Sequence, residues 1–368
     1  MSDRMYDVPA SEEASADPPA DVLAERLRLH ANDSGAQAAR PEQMPRVSST
    51  WLGLREATDA AARAAELVAL VRPHLAGASP NVRPPGHSAA LRTELRARPM
   101  VIHDLGCGTG SMGRWLAPQL PGRQHWILYD RDADLLEHAR AQMVDRAADG
   151  APVTVETRQR DITRLTADDL DGAALVTASA LLDLLTVEEI DRIAAACVGA
   201  GCPALLTLSV IGRVDLIPVD PLDAEIAAAF NAHQRRAVGS RRLLGPDAVD
   251  ATVDAFTRRG AATVVRPSPW RLGVDTFGGA DQRNIVGEAD RRNHVGGADR
   301  PGDVGGADQH DDVDLMSEWF VGWLAAACEQ RPDLAGPAAG YGHRRLAQVA
   351  EGQLGVVVHH HDLLARRE

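Results

Sequence analysis

Hydrophobic and polar positions along the chain fall into distinct regimes. Residues 1–46 are rich in Ala, Ser, Asp, Glu and Pro, and only 22–29 shows amphipathic spacing, so a disordered acidic tail is expected there. Between 49 and 75, Leu52, Leu54, Ala61, Ala65, Leu67, Leu70 and Val71 recur near helical spacing, which predicts a long helix or a broken pair. A Pro/Gly-rich break at 77–87 and one more helical turn at 91–95 follow. From Met100 onward, short apolar runs alternate with helix-period stretches. Strands are predicted at 100–102, 125–129, 153–157, 173–177, 204–210 and 261–265, and helices at 133–147, 187–200, 221–237 and 247–259. Thr186 with Glu189 forms a capping box for the helix at 187, and Pro246 and Gly260 bracket the helix at 247. Such alternation is the signature of a parallel α/β sheet with helices on both faces.

Residues 278–313 break the pattern as four tandem nonapeptides, GGADQRNIV, GEADRRNHV, GGADRPGDV and GGADQHDDV. Each unit has one valine at its end, too little apolar surface to offset the ordering of glycines and charges, so an expanded surface loop is expected. A calcium-binding roll would need a second glycine and an alternating apolar position that these units lack. Beyond the repeat, 315–328 reads as a strongly apolar helix, 338–350 as another, and 354–360 as a last strand before Asp362, Leu363 and Leu364 close the chain. The expected organisation is therefore a tail over 1–46, an N-terminal helical cap over 47–95, and a core over 96–277. A repeat insertion over 278–313 and C-terminal helices with the last core strand over 314–368 complete it.

The most informative stretch is HDLGCGTGSM, from His103 to Met112. An apolar strand runs into Asp104, then into Gly106-Cys107-Gly108-Thr109-Gly110, then into a short helix. Glycines permit a tight turn and close approach to a ligand, and a helix start offers free N–H groups. Gly108, Gly110 and Gly113 also satisfy the dinucleotide pattern GxGxxG, a weak signal alone. Asp104 argues against a pyrophosphate, which its carboxylate would repel, and suits a cationic amine.

The string from Asp104 to Gly110 closely resembles motif I of the class I S-adenosylmethionine-dependent methyltransferases. The resemblance covers about residues 97–215 well and the C-terminal third only in outline. It implies a doubly wound Rossmann-like α/β sheet of seven strands, the last antiparallel, and S-adenosylmethionine as cofactor. It implies that Asp104 meets the amino group of the methionine moiety over a turn made by Gly106, Cys107, Gly108 and Gly110. Asp130, ending the second strand beside Arg131, matches the acid that accepts the ribose hydroxyls, with Asp132 the cap of the next helix. Asp161 and Ile162 match the acid and backbone N–H that meet adenine. Ser179 and Leu181 match the segment facing methionine and acceptor. Asp183 stands where small-molecule members vary, as a base or a helix-start cap, and is the one weak catalytic candidate. The Asn/Asp-Pro-Pro-aromatic tetrad of adenine, cytosine and glutamine-amide methylation is missing.

Composition narrows the partners. Net charge is −13, which disfavours a nucleic-acid backbone. All 39 basic residues are arginine, so Arg235-Arg236 and Arg241-Arg242 read as solvated surface. No apolar run reaches membrane-spanning length, and the acidic N-terminus resembles no signal or transit peptide. Four cysteines without disulfide or zinc spacing fit a reduced, cytoplasmic setting. His359-His360-His361 lacks partner ligands, and only His359 and His361 share a strand face, so no metal site is expected and a solvated strand end is. Trp270 and Arg271, with Trp319 and Trp323 four apart on a helix, suit either core packing or the wall of an acceptor pocket.

A methyltransferase acting on a small-molecule acceptor is thus the expected function. A non-catalytic S-adenosylmethionine-binding scaffold and a nicotinamide oxidoreductase stay open as alternatives, as does the oligomeric state. Asp130→Ala and Asp104→Ala should each weaken S-adenosylmethionine binding by roughly 1.5–3 kcal/mol in calorimetry. Unchanged affinity in both would overturn the assignment.

Overall fold

The computed structural model describes residues 47–76, 98–273 and 307–367. The strands are β1 (Met100–Leu105), β2 (Gln124–Asp130), β3 (Val153–Gln159), β4 (Leu175–Ser179), β5 (Ala204–Ile217), β6 (Ala237–Val238), β7 (Arg241–Arg242), β8 (Ala262–Pro267), β9 (Trp270–Leu272) and β10 (Gly355–Arg366). One sheet has the order β3-β2-β1-β4-β5-β10-β8. The ladders from β3 to β5 are parallel, and β10 is antiparallel to both β5 and β8. This is the expected doubly wound, seven-stranded α/β arrangement with its last strand reversed. β9 adds an eighth strand along the start of β10. In the sequence it looks like the end of β8, but Pro267 and Pro269 lack the N–H a ladder needs and split the run in two. β6 and β7 form a small separate ribbon that the apolar pattern does not announce.

The helices are α1 (Ser49–Ala62), α2 (Ala65–Ala76), α3 (Ser111–Leu116), α4 (Ala133–Gln142), α5 (Val187–Ala200), α6 (Asp223–Gln234), α7 (Ala248–Thr257), α8 (Ala307–Gln330) and α9 (Ala335–Ala350). The N-terminal pattern is a broken pair with its elbow at Arg63 and Ala64. The capping box of α5 is present, with Thr186 and Glu189 each accepting from the other's backbone N–H. Two boundaries differ from expectation. α4 stops at Gln142, and the helix expected from residue 315 begins at Ala307, inside the last nonapeptide. That unit holds no glycine or proline after Gly306, so nothing in it stops a helix, and its Val313 packs partly buried against the C-terminal core. The acidic tail, the cap beyond Ala76 as far as residue 97, and the repeat through residue 306 lie outside the described residues.

Three apolar clusters set the layers. On one sheet face α2 buries Leu67, Val68 and Val71 with Ile102, Trp126, Leu128 and Leu364. On the other, α5 and α7 bring Ile190, Ile193, Ala255 and Phe256 against Ile127, Val176 and Leu206. The third cluster joins Trp270, Leu272, Phe320, Trp323, Tyr341 and Val356, and so fixes α8, α9 and β9 to the outer arms of β5 and β10. Those arms stay paired as far as Ile217 and Gly355, so they stand as a wall above the carboxyl ends of the parallel strands. The sheet's ligand-binding edge thus meets a second surface made by the C-terminal part of the chain.

A single buried carboxylate ties cap, sheet and wall together. Asp362 on β10 is 0% exposed. Its Oδ2 accepts from the backbone N–H of Ala64 at the cap's elbow at 2.8 Å, and its Oδ1 from Leu208 N–H at 2.7 Å and Ser268 Oγ at 2.5 Å. Leu208 adopts φ 57°, a left-handed conformation that L residues avoid, and the bond from its N–H holds it there. Asp362→Asn keeps one acceptor oxygen and turns an amide N–H₂ toward a donor. It should cost about 1–3 kcal/mol in urea unfolding, with Asp362→Ala costing more because three buried donors then lack a partner. Equal stability of all three proteins would show the tie to be dispensable.

Candidate functional site

Asp104 is the penultimate residue of strand β1, which ends at Leu105 where the glycine turn begins. Gly106, Gly108 and Gly110 have φ of 64°, 55° and 86°. A side chain at Gly106 would meet Leu181 at 3.0 Å, and one at Gly108 would meet Leu52 of the cap at 3.0 Å. Both positions therefore need glycine for conformation and for space. The turn and the cap enclose a cavity of about 600 Å³.

Most of the residues singled out in the sequence converge on it. Asp104, Gly106, Cys107, Gly108, Asp130, Arg131, Ile162, Ser179, Leu181 and Asp183 line its wall. Gly110 and Asp161 do not. Gly110 serves instead as the left-handed cap at the start of α3. Asp161 turns its Oδ1 to the backbone N–H and hydroxyl of Thr163, at 3.0 and 2.7 Å, and pairs with Arg131 at 3.1 Å. Its carboxylate is thus engaged in capping a short turn, and the neighbouring Ile162 faces the cavity.

The electrostatics of the turn are set by burial. Asp104 is wholly buried, accepts from Thr177 Oγ1 at 2.7 Å through Oδ1, and has no partner at Oδ2. Burial pushes its carboxyl up to about 7, opposed by the Thr177 bond and the nearby Arg63 charge. The Asp130 carboxylate accepts from Gly108 N–H at 2.9 Å and Asp132 N–H at 3.0 Å, which locks the tip of β2 to the turn while the side chain still faces the cavity. Cys107 is held as a neutral thiol, its pKa raised by burial and by Asp104 and Asp130.

Several residues that complete the site carry no motif. The cap is latched onto the turn by Arg114, which donates to Glu56 of α1 at 2.7 Å and to the Thr109 carbonyl at 2.5 Å. Arg63, 4% exposed, donates from one nitrogen to both Ser111 Oγ and Ser179 Oγ at 3.2 Å. In a chain whose every basic residue is arginine, neither arginine stands out by type. Arg241, read as solvated surface, instead pairs with Glu189 at 2.7 Å, donates to the Leu184 carbonyl at 3.0 Å, and reaches the cavity wall. Arg236 is partly buried and lies near Asp183.

The far half of the cavity is aromatic. Trp51, Phe230, Trp270, Trp319 and Trp323 line it. Trp319 and Trp323 stack at 5.5 Å, so this pair both packs the core and walls the pocket, whereas Arg271 is exposed. Asp59 accepts from Arg55 at 2.9 and 3.0 Å and from Trp270 Nε1 at 3.0 Å, which fixes the Arg55 guanidinium 4.7 Å from the Trp270 ring. The histidine run is not a solvated strand end. His360 is 4% exposed, lines the cavity on the same strand face as Val358 and Asp362, and lies 5.3 Å from Trp270. Its Nδ1 is buried without a partner, and desolvation pulls its pKa down to about 3. His359, on the opposite face, pairs with Asp215 at 2.8 Å. Alternation separates His360 from its neighbours, and the burial of Val358 and Asp362 on its face sets the middle histidine inward. Asp183 is partly buried at the boundary between the halves, and burial raises its carboxyl to about 6, opposed by Arg55 and Arg236.

A protein-family model described as a methyltransferase domain matches residues 102–204, the segment from β1 to the start of β5. No curated protein matches the sequence. Among solved structures, the chain is similar to the cyclopropane synthase MmaA2 from Mycobacterium tuberculosis at 11% identity, over 81% of this chain and 84% of that one, with a TM-score of 0.37. It is also similar to the YcgJ protein from Bacillus subtilis, at 12% identity over 76% and 97% of the two chains, with a TM-score of 0.35. A geranyl diphosphate methyltransferase in complex with its cofactor matches at 11% identity over 83% and 85%, with a TM-score of 0.32. No helix among the described residues is long and apolar enough to cross a membrane.

Asp104 titrates near 7 in the folded protein against an ordinary carboxylate value of 3.8, so the folded state holds its proton more tightly. The stability this proton confers is present at acid pH and is lost as pH rises toward 7. Asp104→Asn should therefore melt higher than the parent above pH 7, by about 2–4 kcal/mol, with the difference vanishing toward pH 4. A pH-independent difference in thermal melts would show that Asp104 is not buried as a charge.

Proposed function

We propose that this chain, which carries a class I S-adenosylmethionine-dependent methyltransferase domain, transfers the sulfonium methyl to a small-molecule acceptor held in the aromatic half of its cavity. The methyltransferase-domain match over residues 102–204 and the doubly wound sheet support this enzyme class, with S-adenosylmethionine as cofactor. The observation that carries the finer reading is that one cavity is lined both by the glycine turn with its carboxylates and by a set of aromatic side chains.

The residues around the glycine turn fit the cofactor. The unpartnered Asp104 Oδ2 is a buried acceptor without a donor, which a protonated amino group would supply. The Gly106–Gly108 turn leaves bare backbone where side chains would clash, and Asp130 offers carboxylate oxygens at the end of β2 for vicinal hydroxyls. Arg131, Cys107, Ile162 and Ser179 would complete the contacts from the wall. When bound, the cofactor supplies an activated methyl group. The protein's part is then alignment, since holding donor and acceptor in line contributes about 7–11 kcal/mol without a strong base.

A cavity of about 600 Å³, covered by α1 and walled by α8 and the β5–β10 arms, has the size of a small-molecule site. The net charge of −13 also disfavours a polyanionic partner.

Asp183 is the general base this reading assigns. Its carboxyl titrates near 6. A base must be ionised, so kcat/KM for a neutral acceptor should rise with pH through about 6 and level off above it. Asp183→Asn should lower kcat by 10²–10⁴-fold and abolish that inflection while leaving S-adenosylhomocysteine affinity within about twofold. A retained inflection in the variant would assign the proton to another group.

A further inference from the structure

Three side chains in the aromatic half have no role in holding a cofactor. Arg55, Trp270 and His360 adjoin one another on the cavity wall as a three-membered plate of rings and guanidinium, the imidazole tilted 51° to the indole. Asp59 clamps two of its members, accepting from both nitrogens of the Arg55 fork and from the indole N–H. The guanidinium lies 4.7 Å from the Trp270 ring and 6.0 Å from the Trp51 ring. The imidazole lies 5.3 Å from Trp270, with Nδ1 buried and unpartnered. A buried polar group left without a partner in a cavity is a site waiting for a ligand atom.

The arrangement selects among acceptors. Tryptophan faces that could cage a cationic amine already hold a cation, Arg55, so a second cation there is repelled. Burial keeps the imidazole neutral, and the same guanidinium adds to this, since protonation would put two positive charges against one ring. What remains favourable is a flat, apolar molecule whose polar atom accepts from a fixed cation and meets a neutral imidazole. Negative charge developing on that atom would be stabilised by Arg55 without reorganisation.

We propose that this plate recognises a planar aromatic alcohol and that the enzyme is an O-methyltransferase for that class. Resting on the reading of the cavity as a methyltransferase site, it assigns Arg55 and His360 to positioning the acceptor oxygen. In the transfer, the hydroxyl O–H bond breaks and its proton goes to the Asp183 carboxylate. The oxygen forms the new bond to the methyl carbon as the carbon–sulfur bond breaks, and that electron pair stays on sulfur, giving the neutral thioether. Asp183 then releases its proton to solvent.

The test uses the full chain saturated with S-adenosylhomocysteine, so that no transfer occurs. Binding of 7-hydroxycoumarin is compared with that of coumarin, which lacks the hydroxyl, and 7-aminocoumarin, which replaces it. Calorimetry should show 7-hydroxycoumarin binding at least tenfold more tightly than either. Its ionised absorption band should appear at a pH where the free compound is neutral. His360→Phe and Arg55→Gln should each erase the preference, with the ionised band lost in Arg55→Gln. His360→Gln, which retains a polar hydrogen-bonding group, should recover part of it. Unchanged S-adenosylhomocysteine affinity in each variant certifies the fold. Equal binding of the three coumarins, or tighter binding of the amine, overturns this inference and leaves the methyltransferase reading intact. Failure of the parent to bind S-adenosylhomocysteine overturns both.

Discussion

One buried anion determines whether this fold has a pocket at all. The Asp362 carboxylate accepts donors from the elbow of the cap, from the strained turn of β5 and from the loop before β9. These segments are far apart in sequence, and each contributes one side of the cavity. Burying a charge is unfavourable unless hydrogen bonds replace its water, and three donors do so here. With that tie, α1 lies over the glycine turn, where the Arg114–Glu56 pair and Leu52 finish the closure. Apolar packing of α2 against the sheet supplies area but little direction, whereas the carboxylate fixes angle and distance.

The division of labour within the cavity follows from chain order. The first half of the sheet, β1 to β4, builds the turn, the acids and the cofactor wall from local strand–loop–helix units. The second half, from β5 onward, builds the aromatic wall from long-range contacts, with β5 and β10 extended past the sheet and α8 packed behind them. Asp183 stands just past β4, where the two constructions meet. Its raised carboxyl and the lowered imidazole of His360 both result from the same exclusion of water, acting in opposite directions because one group is anionic when deprotonated and the other cationic when protonated.

This division also explains what was legible in the sequence. The turn from Asp104 to Gly110 and the acid at Asp130 could be read because their chemistry is set by neighbours in the chain, and the strand periods gave the sheet class. The clamp of Asp59 on Trp270 and the ties of Asp362 to Ala64, Leu208 and Ser268 could not, since each joins residues between about ninety and three hundred positions apart and has no spacing to recognise. Asp161 shows the converse. A residue of the expected type at the expected place also caps its own turn, through bonds from the N–H and hydroxyl of Thr163 that the match in sequence does not reveal. His360 was hidden between two histidines of ordinary role, and a run of identical residues conceals which one faces inward.

The cap is held to Asp362 through the main-chain amide of Ala64 and not through a side chain. The contact is therefore indifferent to which residue occupies the elbow, proline excepted. Substitutions along α1 leave this tie in place, while the Arg114–Glu56 pair and Leu52 hold the rest of the closure. Trp51 and Arg55, which face the cavity from that helix, are then free to drift under selection for a different acceptor while the tie at Ala64 is unchanged. Anchoring by backbone separates the evolution of what the pocket admits from the evolution of whether it closes.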